Sequence, residues 1–372
     1  MNCTQTCIAA ALVISGLPAG AMCLTDAPVS NIHTSSPQQA RTAYDAGAGV
    51  LKIAAPPLAR VENFSISARA RALRHAPCFP YRNSIMNRQD FRFFHKLRVR
   101  WAEVDMQKIV FNAHYLMYFD TAVGDYWRAL ALPYEDAMRQ FGGDLYVKKA
   151  TVEFHGSARY DDQLDVGMKC SRIGTSSMAF SGAIFRGDEL LITSELIYVF
   201  ADPATQTSKA VPAELRCILT SFEAGEPMVT VQLGSWADLG AHAAGLRTEV
   251  FVREQGIPLA MEWDEADKTA VHAVVYNGLG QPIATGRLLQ HAPGVGKIGR
   301  MAVSRVLRGS RLGRELLQAL MAAARQRGDT EVLLHAQRSA EGFYSRLGFQ
   351  PRGEPFDEVE IPHIEMIKRL SA

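Results

Sequence analysis

Polar and apolar residues alternate strictly from Lys96 through Leu97, Arg98, Val99 and Arg100 to Trp101, the period of a half-buried strand. After Asn112 the period changes. Leu116, Phe119, Val123, Tyr126, Trp127 and Leu130 fall on one stripe, which predicts a long amphipathic helix with Asn112 as its N-cap. Gly142 and Gly143 end this region, and four strand-like runs follow: 145–155, 164–173, 176–186 and 189–201, joined by turns such as Tyr160-Asp161-Asp162 and Gly187-Asp188. The pattern breaks at Ala224-Gly225-Glu226-Pro227, which reads as a linker. A second block opens with a strand at 228–233. Ser235 and Asp238 then form a capping box ahead of a helix running to about Phe251. Strands are expected at 270–277, 282–290 and 297–303. A helix ending near Arg327 with Gly328 as its stop follows, then a strand at 331–336 and a short helix at 340–347.

One long helix followed by an antiparallel meander, then a block that mixes strands and helices, makes the chain α+β. Its 372 residues exceed one ordinary domain. We read residues 1–85 as a separate extension, 86–223 as one domain and 228–372 as another. The first 85 residues are rich in Ala, Ser and Pro, carry seven Lys/Arg against three Asp/Glu, and lack any period, so they are expected to be largely disordered. Within them Ile8–Leu17 has the look of a signal-peptide core with Ala19-Gly20-Ala21 as a cleavage site, but no positive leader precedes it. Met86, just ahead of the first strong strand, makes a natural start. A net charge of +2 offers no basic field for nucleic acid, and no apolar run approaches the length of a membrane span. Of six cysteines only Cys170 and Cys217 lie beyond residue 78, so no disulfide framework is expected, which favours a reducing compartment. No cysteine pair has a metal-ligand spacing, and no metal is expected.

Two stretches carry candidate chemistry. In RWAEVDMQKIVFNAHY, Arg100–Tyr115, the carboxylates Glu103 and Asp105 precede a helix start whose free N–H groups can hold a developing oxyanion. An acid beside such donors suffices to hydrolyse a thioester, although an Asp near a helix start also serves as a dipole partner or turn former. The run RVRWAEVDMQKIVFNAHYLMYFDTAVGDYW, continued by KKATVEFHGSARYDDQLDVGMKCSRIG, resembles the 4-hydroxybenzoyl-CoA thioesterase and YbgC/FadM branch of the hotdog superfamily over roughly Phe91 to Phe222. The resemblance implies an antiparallel sheet wrapped on a long helix, Asp105 as the catalytic carboxylate, and the backbone N–H of Asn112 as the group that polarises the thioester carbonyl. Glu103 is then a support of the loop. It also implies a homodimer or homotetramer formed through this domain. Lys108 stands where relatives commonly keep glycine, and Val104 where many have Thr or Cys.

The second stretch, Arg308-Gly309-Ser310-Arg311-Leu312-Gly313, lies between a strand and a helix striped by Leu312, Leu316, Leu320 and Ala324, a favourable place for a pyrophosphate. Downstream, Tyr344 reads from the sequence as a packed aromatic with a wet hydroxyl. GRMAVSRVLRGSRLGRELL, LLHAQRSAEGFYSRLGF and IPHIEM, together with LRTEVFVREQGIP and EWDEAD, resemble the GNAT acetyltransferase superfamily, nearest its ElaA-like branch, from Met228 to the C-terminus. The resemblance implies a mixed sheet flanked by helices. It implies that main-chain groups of Met301 and Val303 hold the acyl-pantetheine, and that Arg308, Gly309, Ser310, Arg311, Leu312, Gly313 and Arg314 hold the pyrophosphate. Gln337 would lie beside the cofactor, and Tyr344 would protonate the departing thiolate. Arg311 replaces the glycine usual in the middle of the loop. For the base, Glu254, Glu262, Asp264 and His272 stay open; the charged run 262–267 reads as a solvated turn, and His363 as structural or substrate-lining.

These readings combine into a cytoplasmic fusion of a hotdog acyl-CoA thioesterase with a GNAT acyltransferase. Acyl-CoA or acetyl-CoA is substrate to both halves, an unidentified amine is the acceptor, and nothing is expected to be tightly bound. The alternatives are a GNAT half that only binds acyl-CoA as a regulatory module, and a scaffold without catalysis.

Overall fold

The computed structural model describes residues 86–370. The expectations for the first 85 residues therefore lie outside the described part.

The first half is built on a five-stranded antiparallel sheet of β1 (Phe93–Arg98), β2 (Asp144–Phe154), β3 (Gln163–Ile173), β4 (Ser177–Arg186) and β5 (Glu189–Ala201), ordered β1-β3-β4-β5-β2. Helix α1 (Asn112–Ala129) and the short α2 (Tyr134–Phe141) connect β1 to β2, the two outer strands, so the chain must cross the sheet between them. The apolar stripe faces inward: Phe119, Ala122, Tyr126 and Trp127 are buried against the sheet. Burial of side chains this size contributes roughly 1.5–3 kcal/mol each. Gly182 on β4 lets the helix come close, since a Cβ there would lie 2.6 Å from the Phe119 ring. Helix α3 (Ala213–Glu223) returns to the sheet, and its last residue, Glu223, accepts hydrogen bonds from Tyr126 Oη (2.5 Å) and from the Cys170 amide (2.8 Å), beside an irregularity in the β3–β4 register.

The second half carries β6 (Val229–Gly234), β7 (Val271–Asn277), β8 (Pro282–Ala292), β9 (Val295–Val303), β10 (Glu331–Gln337), β11 (Gln350–Glu358) and β12 (Ile361–Arg369) in one sheet, ordered β11-β12-β10-β9-β8-β7-β6. Every neighbouring pair is antiparallel except β9 and β10, which helix α6 (Leu312–Arg327) links as a crossover. On α6 Leu316, Leu317 and Leu320 are buried within the main cluster of this sheet, and Gly328 closes the helix at φ +94. Helix α4 (Trp236–Arg247) buries Leu239 and Ala243 against Val274 and Tyr276 of β7. The short helices α5 (Leu259–Glu262) and α7 (Glu341–Ser345) complete the half.

The halves touch at the β7–β8 turn. Asn277 donates to the Ala131 carbonyl (3.1 Å), Gln281 Nε2 donates to Gln140 Oε1 (2.7 Å), and Leu279 packs on the core of the first half.

The structure corrects several sequence expectations. Strand β1 is shifted toward the N-terminus, and Trp101 lies in a 3₁₀ turn, Trp101–Glu103, because Glu103 turns back to hydrogen-bond Arg100. Asn112 is the first helical residue; the cap is Phe111, which offers no side-chain bond. The helix expected to run from Ser235 to Phe251 is α-helical only to Arg247 and continues as a π-helical turn over Thr248–Glu254. The run 262–267 is no solvated turn, for Glu262 and Asp267 are 1% and 3% exposed. Three arginines from separate elements draw it inward: Arg247 donates to Asp267 (2.8 Å), Arg287 to Asp264 and Asp267 (2.7 Å each), and Arg300 to Asp264 (3.3 Å).

Candidate active sites

In the first half the candidate residues occupy one loop. Val104 bridges Val110, Phe111 N–H donates to the Glu103 carbonyl (2.9 Å), and Val110 N–H donates to the Ala158 carbonyl (2.9 Å), so the loop folds back on itself at the entrance to α1. Asp105 stands at the turn of this fold. Its backbone N–H donates to Ile109 (2.9 Å), its carbonyl accepts from Lys108 (3.0 Å), and its side chain accepts from the Gln107 amide (2.8 Å). Lys108 closes the turn at φ +61, the left-handed region a glycine adopts without strain. The resemblance leads to the expectation of a glycine here, and Lys108 adopts the backbone conformation that a glycine would take.

Glu103 is the better-anchored acid. It is buried and accepts from the Arg100 amide (2.7 Å), Arg100 Nε (2.7 Å) and the Tyr118 hydroxyl (2.8 Å). Burial alone would raise its pKa; the Arg100 and Tyr118 hydrogen bonds outweigh burial and hold the carboxyl below the usual range. Burial and the Glu103 charge push the Tyr118 hydroxyl well up, so it stays a donor. Tyr115 pins the opposite wall, accepting from the Ala158 amide (2.9 Å). Asp105 is only half-buried, and its recorded side-chain bond is the one from Gln107. The first amides of α1 lack intrahelical acceptors, as at any helix start, and Asn112 supplies the first of them.

The second site is assembled from distant segments. Strands β9 and β10 pair only at Glu331–Val295, Val332–Gly296 and Leu333–Lys297. Past Lys297 they part, which leaves the main chain of Met301 and Val303 without a β10 partner. β9 carries a bulge in this stretch: Gly286, between Thr285 and Arg287 of β8, faces two residues of β9, Arg300 and Met301, with Arg300 at φ +51. Met301 faces Tyr344, whose hydroxyl lies 3.8 Å from the Met301 sulfur. Burial pushes the Tyr344 hydroxyl up to about 12, so it carries its proton at neutral pH. Phe343 and Val303 flank Gly313 at the start of α6, where an added Cβ would meet them at 3.4 and 3.8 Å.

In the loop before α6, Gly309 and Arg311 have φ +88 and +70, and Arg311 caps the helix through its backbone alone. Arg311 and Arg314 are exposed, Ser310 Oγ donates to the Leu307 carbonyl, and Leu312 is buried in the core. Arg308 is engaged: its guanidinium grips Glu254 through two bonds of 2.6 and 2.7 Å. Gln337, at the end of β10, donates to Gln255 Oε1 (3.1 Å). Asp105 and Asn112 lie in the other half, Asp105 in the loop before α1 and Asn112 as its first residue.

Of the four candidate bases, Glu254 is held by Arg308, and Asp264 and Glu262 are tied to arginines. His272 is buried and donates to the Asp267 carbonyl (2.8 Å); burial pushes its pKa down, so it stays neutral. His363 is buried and bonds the Ile361 carbonyl through Nδ1 (2.7 Å). Sequence reasoning missed Gln255 and the strained Arg300. For Gln255 the signal was adjacency to Glu254, and for Arg300 there was none, because a bulge depends on the partner strand. A groove of about 570 Å³ between α2 and the loop after β5 contains none of the candidate residues.

Comparison with known proteins divides the chain in the same way. Residues 107–193 match the thioesterase superfamily, a span that begins two residues after Asp105, and residues 240–370 match the acetyltransferase (GNAT) domain. The uncharacterized N-acetyltransferase YjcF of Bacillus subtilis is 36% identical over 124 residues, covering 33% of this chain and 87% of that protein. A putative esterase of Aquifex aeolicus is 30% identical over 96 residues, covering 26% of this chain and 74% of that protein. ElaA of Escherichia coli, a solved structure, is 29% identical, covers 38% of this chain and 99% of its own, and superposes with a TM-score of 0.35. In the described residues no helix is long and apolar enough to cross a membrane. The chain belongs to two families at once: to the thioesterase superfamily through its hotdog half and to the GNAT acetyltransferases through the half that follows.

Proposed function

We propose that the hotdog domain, residues 86–223, hydrolyses acyl-CoA thioesters through Asp105, and that the GNAT domain, residues 228–372, transfers an acyl group from CoA to an amine. One observation supports the first activity: the Val104–Val110 bridge closes the loop that carries Asp105 just ahead of α1, whose first residue is Asn112. A thioester carbonyl oxygen held by the Asn112 N–H gains negative charge as its carbon is attacked, and the donor stabilises it. Asp105 either attacks the carbonyl carbon, expelling the CoA thiolate and forming an acyl-aspartyl anhydride that water then hydrolyses, or takes a proton from a water that attacks the carbonyl directly. In both cases the C–S bond breaks and the products are a carboxylic acid and CoA.

In the GNAT domain the main chain of Met301 and Val303, which lies beyond the β9–β10 pairing, receives the pantetheine as an added strand would, and the loop from Arg308 to Arg314 with its helix start receives the pyrophosphate. Gln337 lines the cofactor. The acceptor nitrogen attacks the acyl carbon, the C–S bond breaks, the Tyr344 hydroxyl gives its proton to the departing thiolate, and the proton that the nitrogen loses restores the hydroxyl. The neutral state of Tyr344 suits that role. Acyl-CoA is substrate to both domains, which assigns the protein to the cytoplasm. Exposed Tyr146, Val147 and Phe154 on the outer strand β2 support pairing with a second copy through the hotdog sheet.

The test is thiol release from a panel of acyl-CoAs. Steady hydrolysis by the full chain that falls at least about a hundredfold in Asp105→Asn supports the reading. Hydrolysis unchanged by that substitution, or absent for every acyl-CoA, refutes it.

A further inference from the structure

The π-helical turn Thr248–Glu254 ends beside the cleft between β9 and β10, and its last residue and the next one reach opposite walls. Glu254 takes both Arg308 Nη atoms at 2.6 and 2.7 Å, ahead of α6, while Gln255 accepts from Gln337 at 3.1 Å, at the end of β10. Arg308 and Gln337 are two of the residues assigned above to CoA. The turn itself is seated by Val250 and Phe251, which pack on Ala302 of β9, and Ile257 joins them. Two consecutive side chains therefore tie together groups that a bound CoA would need.

We propose that Glu254 and Gln255 form a strap that the ligand releases: Glu254 and the pyrophosphate compete for Arg308, and CoA must displace Glu254 to bind. The inference rests on the acyltransferase reading of this half. Glu254 and a phosphate offer Arg308 the same thing, a pair of anionic oxygens for two parallel N–H donors, so both cannot hold it fully. The Arg308–Glu254 pair is partly open to solvent, 43% and 31% exposed on its two side chains, so exchange needs no unfolding of the core. Release of Glu254 also loosens the turn that covers β9 at Ala302, next to Met301.

Competition fixes the sign of the test. A carboxylate that merely braces the cleft would weaken CoA binding when removed; one that competes for Arg308 would strengthen it. The experiment is calorimetric titration of the full chain with CoA, for wild type, Glu254→Gln and Arg308→Ala. The site weakened by Arg308→Ala is the GNAT site, and hotdog thiol release is followed in each variant as a check on folding. Glu254→Gln is expected to tighten CoA at that site about three- to tenfold, the scale of one partly exposed ion pair. Unchanged or weaker binding in Glu254→Gln, with wild-type binding that responds to Arg308→Ala, overturns the strap alone. If no CoA site responds to Arg308→Ala, the acyltransferase reading falls and the strap with it.

Discussion

The two candidate sites are built in opposite ways. The hotdog site is local: Arg100, Glu103, Asp105, Lys108, Asn112 and Tyr118 span nineteen residues, and most of its hydrogen bonds close within that span. The GNAT site joins β9, the α6 entrance, the end of β10, α7 and the turn after α4, with nearly ninety residues between Glu254 and Tyr344. A local site keeps its geometry as long as its own loop is intact. A dispersed site is only as accurate as the sheet that spaces its parts, here through a bulge on β9 and a parting of two strands. The first should therefore fail by loss of one side chain, and the second by loss of alignment as well.

The largest effect tests whether the sites are independent. Asp105→Asn should abolish thiol release in the absence of amine and leave acyl transfer intact. Tyr344→Phe should lower acyl transfer on the order of a hundredfold, the usual range for a positioned acid, and leave hydrolysis intact. Assays of both activities in both variants check this, and a single variant that silences both activities would erase the distinction between the sites. The pH profile sharpens it further. With the Tyr344 hydroxyl pushed up to about 12, acyl transfer should lose no activity to Tyr344 ionisation below about pH 11. An alkaline fall between about pH 8 and 9 that vanishes in Tyr344→Phe would show that the hydroxyl is not held neutral.

A smaller effect concerns the brace of the local site. Glu103→Ala strands the Arg100 amide and the buried Tyr118 hydroxyl, at a cost of about 1–3 kcal/mol, read as a lower urea midpoint. The sign of its pH dependence follows from its depressed folded pKa. The carboxylate's contribution is complete above the ordinary value of 4.5 that the unfolded chain shows, and is lost as pH falls through the lower folded value. Wild type should thus lose more stability than Glu103→Ala on acidification below about pH 4. Parallel acid-denaturation curves for the two proteins would contradict the assigned role of Glu103.

The same contrast explains how much could be read in advance. Sheet strands β2 to β5 fell within a residue of their expected ends because alternation is written into each strand by itself. The capping box at Ser235 and the stop at Gly328 were legible for the same reason, each being a contact across a few residues. Helices α2 and α3 and strands β11 and β12 went unread. In β11 every residue but Phe356 is exposed, so no apolar period marks it, and Pro351, Gly353 and Pro355 argue against a strand. Asp105 and Asn112 could be singled out because they lie seven residues apart in the sequence, one in the loop and one at the helix start that follows it. The pairing of Glu254 with Arg308, and the burial of Glu262 and Asp267, depend on residues brought together only by the second sheet.

The smallest prediction returns to the two positions where a glycine is expected and a long cation stands. Lys108 and Arg311 both occupy the left-handed region, at φ +61 and +70, which costs a side-chain-bearing residue roughly 1–2 kcal/mol relative to glycine. Substituting glycine relieves that strain but gives the unfolded chain more freedom, worth about 0.4–1 kcal/mol in the other direction. Lys108→Gly and Arg311→Gly should each stabilise the protein by about 0.5 kcal/mol, seen as a small rise in urea midpoint with unchanged slope. Function should separate them. Lys108 lies in a turn held by backbone bonds of Asp105, so hydrolysis should survive Lys108→Gly with little change in kcat. On the proposed reading the Arg311 charge faces the CoA phosphates, so Arg311→Gly should raise KM for acyl-CoA several-fold while leaving kcat near its wild-type value. A fall in KM in Arg311→Gly would mean that the guanidinium obstructs the phosphate loop, where a glycine would allow closer backbone approach.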